Sequence, residues 1–356
     1  IDLSESAFIY DGSAKTPTAV VTSGGRTLVN GVDYELSYES NTNVGTARVI
    51  VNGKGNYGFT NAVKEFTINK ADSSVAVAPT AKADLVYNGQ PQELLESGGM
   101  ALNGEMQFSL DGTNYSADIP KGQDAGQYTV WYKVKGDANH NDSAAQSIDV
   151  NIGTKDIAGA DITLGDALTF NGAEQEQTVN RVVTIDGLEA TFTVSNNKAT
   201  NAGSYRLTVT GTGNFSGIAE KEFSISPKSV QADIEIRGTF IYSGAAIEPT
   251  DMTVKDGEAV LVKDTDYTVS YDNNVNAGAA KVKIAFIGNY AGAAEKEFTI
   301  LPKTVTPSVT IARPVVSARP QTSAETAEYT ATVSWTPSDS PFTYNTVYIA
   351  KISITP

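Results

Sequence analysis

The stretch that decides the fold runs from Asp266 to Gly292 and reads DYTVSYDNNVNAGAAKVKIAFIGNYAG. Tyr267, Val269 and Tyr271 alternate with polar residues, and so do Val282, Ile284 and Phe286. Successive side chains leave a strand on opposite faces, so this period of two predicts two half-buried β-strands. Between them lies NNVNAG, a run of turn formers ending on a glycine that can take the positive φ of a tight reversal. The segment predicts a β-hairpin.

The same chemistry recurs along the chain. An aromatic residue, a small turn residue and glycine stand at Tyr10-Asp11-Gly12, Tyr87-Asn88-Gly89, Phe170-Asn171-Gly172 and Tyr242-Ser243-Gly244, at intervals of 77, 83 and 72 residues. A second marker follows 31 to 37 residues later, at Asn43-Val44-Gly45, Asp124-Ala125-Gly126, Asn201-Ala202-Gly203 and Asn276-Ala277-Gly278. A third is Gly55-Asn56-Tyr57, Gly213-Asn214-Phe215 and Gly288-Asn289-Tyr290, degenerating to Ala138-Asn139-His140 in the second copy. Each copy closes on a short alternating strand, at Phe66/Ile68, Ile148/Val150, Phe223/Ile225 and Phe298/Ile300. Fixed-period self-similarity is the mark of a repeat architecture.

After every second marker the apolar residues share one face: Ala47, Val49 and Val51; Tyr128, Val130, Tyr132 and Val134; Tyr205, Leu207 and Val209; Val282, Ile284 and Phe286. Nowhere do ten residues carry a helical i, i+3, i+4, i+7 pattern. Short strands with turn signals about every 8–12 residues predict a β-sandwich; a β-grasp module, the alternative fold, needs an amphipathic helix. The expected architecture is all-β: a tandem, elongated array of small Ig-like β-sandwich repeats at 1–70, 71–153 (a sister subtype with a longer insertion), 154–228 and 229–304. A short or truncated β unit follows at 305–356, with alternating strands through Tyr329–Trp335 and Tyr348–Ile354.

The quoted hairpin, and the segment of the second copy from Tyr87 to His140, resemble the MBG/YDG-type and related Ig-like tandem repeats of bacterial cell-surface proteins. The resemblance covers residues 1 to about 304. It implies an extracellular stalk or adhesin region, often beside a separate ligand-binding or catalytic domain, and it brings no catalytic residues to transfer. The aromatic and glycine markers read as core and turn positions.

Composition narrows the chemistry. The 356 residues are 40% hydrophobic and 19% charged, which suits globular material. Forty-one acidic residues against 26 basic ones leave a net charge of −15, unsuited to neutralising phosphates, so no nucleic-acid partner is expected. No run of eighteen apolar residues spans a membrane. The chain opens directly into strand-like sequence, and both ends are expected to lie within a longer protein. With no cysteine, disulfides and thiolate sites are excluded.

His140 is the one histidine, so no Ser/His/Asp triad or histidine-based metal cluster is expected. GNFSG at Gly213–Gly217 places its serine one position too late for a nucleophile elbow. Glu174 and Glu176 are read as a solvated acidic face. The nearest approach to a calcium loop, Asp137 to Asp142, lacks the ligand spacing and the closing glutamate, and Asn and Asp dominate turns for reasons of their own. No catalytic residue, metal ligand or cofactor is expected.

Trp131 is the one candidate ligand contact. It lies on the opposite face from Val130 and Tyr132, beside Lys133, where an indole either stacks on a sugar or packs under the insertion at 103–120. The expectation is a monomeric, non-enzymatic stalk or adhesion region, secreted or on the cell surface, whose partner is a host or bacterial surface glycan or protein. The alternative is a set of accessory carbohydrate-binding modules of a secreted glycoside hydrolase.

Overall fold

A computed structural model of the chain describes residues 1–325 and 329–355. These residues are all-β, with no helix, which removes the helix-requiring β-grasp alternative; no helix is therefore long and apolar enough to cross a membrane. They divide into two compact units: Ile1–Leu168 with Glu174–Ala199 and Ser204–Ser224, and Thr169–Ala173 with Thr200–Gly203 and Ile225–Pro356.

The chain is a tandem series of Ig-like β-sandwich repeats. In the first copy the main sheet has the order Ala7–Ile9, Ala62–Asn69, Gly45–Gly53, Tyr34–Glu39. Its first strand runs parallel to the last, and the others are antiparallel. The second copy repeats the order with Leu85–Val86, Gln146–Gly153, Gly126–Gly136 and Gly104–Ser109, and the fourth with Phe240–Ile241, Ala293–Leu301, Gly278–Phe286 and Tyr267–Asp272. In the third copy Phe192–Ser195 pairs antiparallel with Thr208–Gly211.

A smaller layer faces each sheet. It is Asp2–Leu3 with Ala19–Val20 in the first copy, Ser74–Val77 with Met100–Leu102 in the second, Asp161–Leu164 with Val179–Val183 in the third and Asp233–Ile236 with Met252–Asp256 in the fourth. The core lies between the layers. In the first copy Ala47, Val49, Val51, Phe66 and Ile68 from the sheet meet Ala19, Val21 and Leu28. In the fourth, Ala280, Val282, Ile284, Phe298 and Ile300 meet Ile234, Val254 and Leu261. The alternation read from the sequence is the alternation of burial: Ala47, Val49 and Val51 are buried, while Arg48 opposite faces solvent and pairs with Glu65 at 3.2 Å. Such exposed pairs contribute little, about 0–1 kcal/mol. Burial of the apolar face holds the sheet to its partner layer.

The Asp-Tyr pair that opens the hairpin strand has a definite task. Tyr34 donates its hydroxyl across the sandwich to the Ala19 carbonyl at 2.7 Å, and Tyr38 to that of Pro17 at 2.9 Å. Asp33 accepts the Val29 amide, and Asp266 the Val262 amide, each at 2.8 Å, closing the turn before the strand. The glycines of the second marker have φ of 140°, 148°, 156° and 132°, a region that a side chain strongly disfavours.

The C-terminal segment forms a three-stranded antiparallel sheet of Ser323–Glu325, Thr330–Thr336 and Ile349–Thr355 around Val333, Trp335 and Phe342. Trp335 Nε1 donates to the Gln321 carbonyl at 2.8 Å. Between Leu301 and Ser323 there is no regular strand.

Candidate functional site at the repeat junctions

The third marker of each later copy grips the second marker of the copy before it. At the first junction, in the first unit, the Val44 amide donates to Asn139 Oδ1 at 3.0 Å, and Asn139 Nδ2 donates to Asn43 Oδ1 at 3.2 Å. At the second, also in that unit, the Ala125 amide donates to Asn214 Oδ1 at 2.8 Å and Asn214 Nδ2 to Asp124 Oδ1 at 2.9 Å. At the third, within the second unit, the Ala202 amide donates to Asn289 Oδ1 at 2.7 Å and Asn289 Nδ2 to Asn201 Oδ1 at 3.1 Å. A carboxamide is the one uncharged side chain of this length with a donor and an acceptor side by side. The N-x-G turn supplies their complements, an N–H at its middle residue and a side-chain oxygen at its first.

A ring contact accompanies each clasp. Tyr10 meets His140 with ring centroids 5.3 Å apart, Tyr87 meets Phe215 at 5.4 Å and Phe170 meets Tyr290 at 5.5 Å, all edge to face. Edge-to-face pairing sets the positive rim of one ring against the negative face of the other. The linker closes the arrangement. Ala71–Asp72 runs parallel to His140–Asn141, Lys155–Asp156 to Phe215–Ser216, and Lys228–Ser229 to Tyr290–Ala291. The amides of Ala71, Lys155 and Lys228 donate to the carbonyls of the same three asparagines at 3.1, 2.8 and 2.9 Å. One asparagine therefore holds the preceding repeat with its side chain and the linker with its backbone.

This corrects the reading of the markers as core and turn residues alone. Their aromatic and asparagine side chains make the contacts between copies; the Phe215 and Tyr290 rings also border their own cores. The signal was available in the sequence. The second copy lost the glycine and the tyrosine of the third marker, yet it kept the asparagine, and the substitute His140 is still a ring.

The residues weighed for chemistry lie elsewhere or are engaged. His140 Nδ1 and Asp137 Oδ1 are 2.7 Å apart, and Asp137 also accepts the Asn139 amide. The hydrogen bonds from His140 and then from the Asn139 backbone hold Asp137 below the usual carboxylate range. Asp142 accepts from Lys133 at 2.8 Å and from the Gly136 amide at 3.1 Å. These carboxylates close the turn that presents Asn139. Glu176 accepts from Asn197 and pairs with Lys198, and no contact brings it to Glu174. Gly213–Gly217 is a turn, closed by the Phe215 amide on the Thr212 carbonyl.

Trp131 stands on the outer face of the second sheet, opposite Ser109 and Ser147, and is 37% exposed. Its indole lies against Gly112, about where a side chain at that position would begin. The turn that carries Gly112 is organised by Asp111, which accepts from the Thr113 and Asn114 amides, the Asn114 side chain and the Ser109 hydroxyl. Those bonds, the Asn114 amide first, hold the Asp111 carboxyl far below the usual range. Next to Trp131 on the same face, Lys133 sits 4.9 Å from the centre of the Tyr115 ring.

No family model matches this chain, and no curated protein matches it. Among solved structures, Sidekick-1 immunoglobulin domains 1–5 align at 10% identity over 84% of this chain and 80% of that one, with a TM-score of 0.27. The human desmocollin-1 ectodomain aligns at 8% identity over 92% and 84%, with a TM-score of 0.18.

Proposed function

We propose that the chain is a non-enzymatic stalk or adhesion region of a bacterial surface protein of the MBG/YDG type, displayed outside the cell. Its units are the Ig-like repeats 1–70, 71–153, 154–228 and 229–304 and a short β unit at 305–356. One observation carries this reading. The side chains that make the sequence repetitive join copy to copy, through Asn139, Asn214 and Asn289, and line no cleft. A region whose recurring polar chemistry lies at its joints is built to transmit position or load. The absence of cysteine and the acidic surface suit the outside of a cell.

Pulling the chain from its two ends tests the reading. Four successive unfolding events are expected, each releasing on the order of 250 Å of chain for about 75 residues at full extension. A single cooperative event, or turnover of an ester, peptide or glycoside that disappears on replacing one carboxylate, overturns it.

A second reading, an accessory carbohydrate-binding module, has one observation in its favour. Trp131 is half-exposed on a sheet face that also carries the hydrogen-bonding pairs Thr129–Asp149 and Lys133–Asp142. Loss of glycan binding in Trp131→Ala, with the melting temperature held, supports it; no binding by the wild-type chain across a glycan array removes it.

A further inference from the structure

The three junctions leave one half-clasp of each kind without a mate. The first copy carries Asn56 and Tyr57, the gripping half, and the fourth carries Tyr242 and Asn276-Ala277-Gly278, the gripped half. Burial registers the difference. Asn139, Asn214 and Asn289 are half-buried, whereas Asn56 is exposed. Val44, Ala125 and Ala202 are half-buried, whereas Ala277 is exposed. Tyr10, Tyr87 and Phe170 are half-buried against their partner rings, whereas Tyr242 is 38% exposed. Among the described residues the side chains of Asn56 and Asn276 make no hydrogen bond. The segment after the fourth copy has no Gly-Asn-aromatic turn with which to fill that end.

We propose that the Asn56–Tyr57 turn is a docking socket for the fourth repeat of a second copy of this chain, so that copies associate head to tail. Asn56 Oδ1 takes the Ala277 amide of the other copy, its Nδ2 donates to the Asn276 side-chain oxygen, and the Tyr57 and Tyr242 rings meet edge to face. The occupant follows from chemistry already present three times in the chain. The socket recognises an aromatic-x-Gly turn beside an Asn/Asp-x-Gly turn, and the fourth repeat offers both uncovered. Such a contact is heterologous, so it grows into open chains and does not close as a symmetric dimer. Within the chain, tethering gives each junction an effective concentration in the millimolar range and adds the pairing of the linker. In trans both are absent, so association is weak, on the order of millimolar, and acts where copies are crowded on a surface. The inference rests on junction geometry and is independent of the stalk reading.

Sedimentation equilibrium of the full chain up to about 1 mM, the range in which tethered contacts lose their advantage, tests it. The wild type is expected to show a weight-average mass that climbs with concentration without levelling at a dimer. Asn56→Ala alone and Tyr242→Ala/Asn276→Ala alone should each stay monomeric, with melting curves like the wild type. An equimolar mixture of the two variants should regain association but stop at a dimer, because one supplies the only working socket and the other the only working turn. A wild type that stays monomeric, association that survives Asn56→Ala, or a mixture that stays monomeric overturns the proposal.

Discussion

Replacing the clasp asparagines by aspartate separates two junctions that otherwise look alike. At the first, Asn139 Nδ2 faces the side-chain oxygen of Asn43 at 3.2 Å; at the second, Asn214 Nδ2 faces a carboxylate oxygen of Asp124 at 2.9 Å. In both variants the retained oxygen still accepts the backbone N–H, so only the second bond changes. In Asn139→Asp the Asn43 amide can turn over and offer its NH2, leaving a donor and an acceptor paired. In Asn214→Asp two carboxylates meet, and neither can donate. Two unit charges about 4 Å apart repel by about 1 kcal/mol in water and about 4 kcal/mol at the effective dielectric of a protein surface. Asn214 is half-buried, so Asn214→Asp is expected to cost about 1–3 kcal/mol more than Asn139→Asp at low salt. The excess should shrink in 1 M salt, where the screening length is about 3 Å. It should shrink again near pH 4, where one of the two carboxyls takes up a proton. Native-state hydrogen exchange at the Val44 and Ala125 amides reads each clasp directly, and urea unfolding reads the total. Equal losses at the two amides, or a salt-independent difference, would refute the assignment of donor and acceptor at these junctions.

Other outcomes follow from single contacts. Tyr34→Phe strands the buried Ala19 carbonyl and should cost about 1–2 kcal/mol in urea unfolding, more than Tyr38→Phe, whose bond is only part-buried. Trp131→Ala removes an indole that is 37% exposed, so its cost should fall short of the roughly 3–5 kcal/mol of a fully buried aromatic; a larger loss in chemical denaturation would mean that the 109–114 turn unfolds with it. Asp111 has a folded-state pKa below its unfolded value, the Asn114 amide being the first cause. Its contribution is therefore complete above the unfolded pKa of about 3.9 and is lost as pH falls toward the folded one. Asp111→Asn should flatten the acid limb of the stability–pH curve and leave the neutral region with a constant offset; an unchanged acid limb contradicts this.

Much of the fold was legible because one period governs it. Ala47, Val49 and Val51, or Val282 and Ile284, face the core on the alternation that their spacing predicts, and the N-x-G turns reverse the chain where glycine permits it. The smaller layer was less legible, since strands such as Asp2–Leu3 or Ala19–Val20 have two residues each and two residues show no period. The junctions were hidden for a different reason. An asparagine in a turn has two explanations, closing its own loop or reaching another, and local sequence carries only the first. Asn88 and Asn171 take it, accepting the amides of Gln90 and Ala173 two residues on. Asn139, Asn214 and Asn289 take the second, with partners 95, 89 and 87 residues away.

The degenerate second copy shows which part of a marker the junction needs. Gly55, Gly213 and Gly288 have φ of 59°, 64° and 65°, and the second copy places Ala138 where they stand. The turn that replaces them is closed by side chains: Asp137 accepts from the Asn139 amide and bonds His140, and Asp142 ties Lys133 to the Gly136 amide. Hydrogen bonds thus do the work that a left-handed glycine does in the other copies, and Asn139 still meets Val44. The amide that holds the neighbour persists while the means of presenting it changes. His140→Tyr should then keep the contact with Tyr10 but lose the bond to Asp137, whereas Asp137→Ala should free the turn and leave the ring in place. If the turn presents the clasp, Asp137→Ala exposes the Val44 amide to exchange more than His140→Tyr does. Equal protection of that amide in both variants would mean that Asn139 is held by the linker pairing with Ala71 alone.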